Sequence, residues 1–136
     1  MENEFLPYEL AVEMKSIGFD EPCLGYFASK DAKTIRLALW THIGYVNANR
    51  LDDDLVTAPL YQQAFRWFRE KYNLHPSFTR YKSSSINREP YIFTHLYEIQ
   101  IIDENNDKIF NVGDFNSHEE AELECLKKLI EIIKTP

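Results

Sequence analysis

Long apolar runs are missing from this sequence. No stretch approaches the roughly 18 residues needed to cross a bilayer, and the start, MENEFLPYEL, lacks the basic segment and apolar core of a secretory signal. The expectation is a cytoplasmic protein that does not engage a membrane. Cysteine is scarce: Cys23 and Cys125 have neither CxxC spacing nor a histidine at finger distance. That argues against a zinc finger and leaves two buried, reduced thiols as the reading. Glycine and proline number four and six and are scattered, so no segment is low in complexity.

Catalytic patterns are missing too. There is no GxSxG elbow and no glycine-rich phosphate loop. The nearest approach to a metal motif, HEEAE from His118, lacks the second histidine at i+4 that would put two ligands on one helical face. Asp52, Asp53 and Asp54 are consecutive, so their side chains diverge, and DENNDK (103–108) also lacks calcium-loop spacing. His42, His75, His95 and His118 are far apart in sequence, and only His95 projects onto an apolar strand face. These absences point away from an enzyme and imply no cofactor.

What is present is apolar, aromatic and unevenly charged. The 136 residues are 44% hydrophobic and 14% aromatic, enough for the core of a single domain. The net charge of -7 disfavours a general polyanion binder. Residues 60–90, however, carry six basic side chains against Glu70 and Glu89, a net of +4, so the rest of the chain carries -7 less +4, or -11.

Periodicity orders the elements. A helix is expected over residues 7–17, with Pro7 in its first turn, Leu10, Ala11, Met14 and Ile17 on one face, and Gly18 as a left-handed stop from which Phe19 folds back toward Met14. Strands follow at 23–28 and 33–40, joined by a hairpin turn, with 42–46 extending the second; 47–59 reads as a loop. Thr57 is expected to cap a second helix. On that helix Tyr61, Ala64, Phe65, Phe68 and Tyr72 form an apolar stripe edged by Leu60 and Trp67, with Arg66 and Arg69 opposite. Strands are expected at 76–82, 90–102 and 109–115, with a loop at 83–89. Ser117 and Glu120 form a capping box for a last helix whose acidic start and basic end suit its dipole.

The fold class is therefore α+β, an antiparallel sheet with helices packed on one face, in the order α-β-β-(β)-α-β-β-β-α. It is read as one domain with sub-units at 1–50 and 57–136. YELA (8–11) and YQQA (61–64) are a faint internal echo of a helix-and-sheet unit. The order α-β-β-β-α over the second half resembles the topology of double-stranded RNA-binding domains. That family grips phosphates with a basic start to its second helix. Here the position reads SHEEAELE, so the resemblance carries over no functional residue.

The phrases FLPYELAVEMKSIGFDEPC, APLYQQAFRWFREKYNL and SHEEAELECLKKLIEIIK are similar to a group of small uncharacterised proteins of Bacteroidetes and their phages or prophages. The resemblance implies a prophage or mobile-element origin and supplies no catalytic residues. The functional expectation is a non-enzymatic accessory or interaction module that binds a protein partner or a second copy of itself as a homodimer. The alternative is a nucleic-acid binder. It would use Arg66, Arg69, Arg80, Lys82 and Arg88 on phosphates, with Trp67 or Tyr81 stacking a base.

Overall fold

The computed structural model describes residues 2–28, 34–37, 47–51, 54–84 and 93–135. Their α+β architecture has two three-stranded antiparallel sheets where the sequence suggests one, and the chain divides into two compact units. The first comprises Met1–Trp67 with Ile130–Pro136, the second Phe68–Leu129.

In the first unit, helix α1 spans Tyr8–Ser16. Pro7 sits just before it, with extended ψ of 153° and its carbonyl accepting from Ala11 N–H at 2.9 Å. The stop is a complete left-handed cap: Gly18 has φ of 94°, its N–H donates to the Lys15 carbonyl, and Phe19 N–H donates to that of Met14. Phe19 and Met14 are both buried, as the apolar contact of such a cap requires.

Strand β1 (Gly25–Phe27) is central, between β2 (Ile35–Leu37) and β3 (Val56–Ala58). The hairpin turn expected between the first two strands, and the extension at 42–46, fall outside the described residues.

The loop expected at 47–59 is corrected. It contains a short helix α2 (Ala48–Leu51) and the whole of β3, whose three residues are all buried. Thr57 is consequently not a helix cap. It pairs with Tyr26 in the sheet, and its N–H donates to Asn49 Oδ1 at 3.0 Å. A threonine followed by a proline satisfies the rule for a helix start, but the apolar Val56 and Ala58 beside it gain more by completing the sheet on β1. Asn49 donates in turn to the Phe19 carbonyl at 3.0 Å and Lys15 to that of Leu55 at 2.8 Å, so α2, the α1 cap and β3 are tied together. Leu6, Met14, Phe19, Cys23, Phe27 and Phe65 are among the buried side chains of this unit.

Helix α3 spans Tyr61–Tyr72. Its expected stripe is buried at Tyr61, Ala64, Phe65, Trp67 and Phe68, while Gln62, Arg66 and Arg69 are exposed. Asn73, with φ of 56°, is the left-handed stop. The meander of β4 (Leu74–Ser84), β5 (Phe93–Asp103) and β6 (Lys108–Phe115) forms the sheet of the second unit. β4 is longer than expected and takes in the start of the expected loop.

Helix α4 (His118–Lys134) follows, with Ser117 Oγ accepting from Glu120 N–H at 3.1 Å. The order α3-β4-β5-β6-α4 has the expected α-β-β-β-α form. The first sheet has the order β2-β1-β3, so the likeness of α1 and α3 does not extend to a repeated topology. No described helix is long and apolar enough to cross a membrane.

Candidate functional site

Pairing gives the second sheet two unlike faces. One row, Leu74, Pro76, Phe78, Arg80 and Lys82 on β4, lies beside Asp103, Ile101, Ile99, Tyr97 and His95 on β5. Leu74, Ile99 and Ile101 of this row are buried. At its farther end the His118 ring from α4 stacks on Phe78 at 5.6 Å and meets Tyr97 edge-on at 5.5 Å. The alternate residues form the open face: His75, Ser77, Thr79 and Tyr81 on β4, Glu98, Gln100 and Ile102 on β5, and Ile109, Asn111 and Asp114 on β6.

A bulge opposite Ile99 and Gln100 inserts Val112 into β6 next to Gly113, whose φ is 139°. The extra residue resets the alternation, and Asp114 arrives on the open face opposite Glu98.

This division separates residues that adjacency in sequence suggested would act together. Arg80 and Lys82 lie on the helix-side row, where the Arg80 guanidinium sits 5.8 Å from the centroid of the Tyr97 ring, a cation–π distance. Tyr81, between them in sequence, lies on the open face among carboxylates. Partial burial raises its phenol above the ordinary value, Asp114 raises it further by charge and by accepting the hydroxyl's hydrogen bond, and Glu98 adds to this. An aromatic flanked by two carboxylates repels a phosphate backbone.

Trp67 does not present a stacking surface either. It is 6% exposed, and its ring meets Phe19 edge-on at 5.5 Å. Arg66 is exposed and lies 3.7 Å from Glu21, an ion pair worth about 0–1 kcal/mol at the surface. Arg69 is exposed one turn along the same helix. Arg88 lies outside the described residues, as do His42 and the side chain of His95.

The stretches that come nearest to metal motifs in the sequence have structural roles. Asp103 takes hydrogen bonds from the backbone N–H groups of Asn105 and Asn106 at 3.1 and 3.2 Å and from the Asn106 amide at 2.8 Å. It shapes the DENNDK turn. Asn105 and Glu104 then tie that turn to the Tyr72 and Asn73 carbonyls. His118 contacts Glu122 at 3.1 Å across one helical turn. Among the described residues, no group of three or more His, Cys, Asp or Glu side chains is placed to hold a metal ion.

Both thiols are buried and free. Burial pushes Cys23 up to about 12, against a smaller opposing pull from the Thr57 hydroxyl. Burial and then the Glu122 carboxylate push Cys125 to about 12. Neither thiol is a nucleophile near neutral pH.

The residues that sequence reasoning passed over are Ile102 and Ile109. They are paired partners on β5 and β6, 37% and 62% exposed, adjacent on the open face. The signal lay in the doublet Ile101-Ile102, where an apolar residue follows another and breaks the alternation of the strand. Compared with protein-family models, with curated proteins and with solved structures, the chain has no significant match.

Proposed function

We propose that this chain is a non-enzymatic interaction module that binds a protein through the open face of the β4–β5–β6 sheet. The observation that carries the reading is the Ile102–Ile109 pair, two large apolar side chains side by side in water on a face that is otherwise polar. Single exposed apolar residues are ordinary, but a contiguous pair on a sheet face loses apolar hydration when a partner covers it. The mobile-element origin implied by the sequence resemblance belongs to the same proposal.

A photocrosslinking side chain placed at Ile109, with a control at the exposed Glu119 of α4, tests it in living cells. A discrete protein adduct from position 109 and none from 119 is the expected result. No adduct at 109, or equal labelling at both, would count against the open face.

The second reading, nucleic-acid binding, draws on Arg80 and Lys82, which stand in one row of an edge strand beside the Tyr97 ring. Oligonucleotide binding that is strong at low salt and collapses as salt rises would favour it. The burial of Trp67 and the acidic neighbours of Tyr81 weigh against it.

A further inference from the structure

We infer that the occupant of this open face is a basic segment of a different protein, anchored by an apolar side chain, and not a second copy of this chain. The inference rests on the interaction reading above. Its warrant is the distribution of charge on the face. Ile102 and Ile109 form an apolar end, with His75 beside Ile102, and four residues back along β5 lies Glu98, paired with Asp114. At about 3.4 Å per residue the carboxylate pair stands roughly 13–14 Å from the isoleucine pair. Alternation sends Arg80 and Lys82 to the opposite face, and Lys108 follows its partner Asp103 there. No lysine or arginine is present among the described residues of the open face.

A two-fold pairing of this face with itself ranges between two limiting orientations, with its axis along the strands or across them. With the axis along the strands, isoleucine meets isoleucine and the carboxylates of one copy meet those of the other. With the axis across the strands, the carboxylates meet isoleucine. Neither brings a lysine or arginine to the carboxylates, the one basic side chain among the described residues of the face being His75, already 3.6 Å from Glu104, so self-pairing leaves the acidic pair poorly matched. A foreign segment with an apolar residue and a lysine or arginine spaced to match covers both ends at once. The acidic chain as a whole, at -7, also draws a basic partner toward it.

The test is an amide chemical-shift titration of the isotope-labelled full chain with three short peptides whose first and fifth residues, which share one face of an extended strand, are leucine and lysine, leucine and glutamate, or serine and lysine, with serine between them. The leucine-lysine peptide should shift Glu98, Ile102, Ile109 and Asp114 together, and the other two should bind more weakly by about tenfold or more. Ile109→Ser and the double variant Glu98→Gln, Asp114→Asn should each reduce leucine-lysine binding by a similar factor, with circular dichroism confirming that both remain folded. Equal binding of the leucine-glutamate peptide, unchanged binding by the double variant, or shifts confined to the glutamates opening α4 would overturn the inference.

Light scattering supplies a separate arm. A dimer mass that Ile109→Ser abolishes would place a second copy on the face, defeating the basic-partner inference while leaving the interaction reading intact. An absent crosslink from position 109 would remove the interaction reading itself.

Discussion

Trp67 and Arg69 lie two positions apart on α3 and part company in what they do. Trp67 is in the core against Phe19, whereas Arg69 is in water. Trp67→Ala should cost about 3–5 kcal/mol in urea unfolding, the range for removing a large buried aromatic. Arg69→Ala should change stability by less than about 0.5 kcal/mol. The helical stripe was legible from spacing alone, because Ala64, Phe65 and Phe68 recur with the helix period. The fate of Trp67 was not, because it stands at the edge of the stripe and its burial depends on Phe19, delivered by the cap of another helix. Tyr81 shows the same limit. Its strand is legible in the sequence, but its acidic neighbours come from β5 and from beyond a bulge in β6 that one strand's pattern does not reveal.

Elements with local causes were legible to within a few residues. The α1 stop rests on Gly18 at φ of 94°, and the α4 start on Ser117, each a signal contained in the helix it ends or begins. Gly18→Ala forces a Cβ into the left-handed region and should cost about 1–2 kcal/mol. Ser117→Ala leaves a helix N–H without its acceptor and should cost about 1 kcal/mol. Thermal unfolding of the two variants beside the parent measures both. Elements with distant causes were misread. β3 is only three residues long, and what makes it a strand is pairing with β1, about 30 residues earlier, together with the Asn49 side chain on its backbone. A proline two residues after a threonine spoke for a helix, and local chemistry could not outweigh a sheet it did not contain.

At the scale of the molecule, the α+β class follows from composition and periodicity, while the position of the boundary between the two units does not, because it falls inside α3 and not in the 51–56 stretch between the expected sub-units. The two thiols make global stability depend on pH. In the unfolded chain they ionise near 9, whereas in the folded protein they keep their protons to about 12. Between those values the unfolded state binds fewer protons, so stability is unaffected by the thiols below about pH 9 and falls as pH rises toward 12. The raised Tyr81 phenol acts with the same sign at the alkaline end. Urea unfolding across this window should show the decline, and a Cys23→Ala, Cys125→Ala double variant should flatten it.

On the proposed reading this chain works through protein contacts on the open sheet face and not through nucleic acid on its basic segment. One measurement bears on both halves: amide shift mapping of the full chain at low salt, with a leucine-lysine peptide and, separately, with short DNA and RNA strands and duplexes. The peptide should move Glu98, Ile102, Ile109 and Asp114, and the nucleic acids should leave Arg66, Arg69, Arg80 and Lys82 unmoved. Salt-sensitive nucleic-acid shifts at Arg80 and Lys82, with the open face unmoved by peptide, would contradict it.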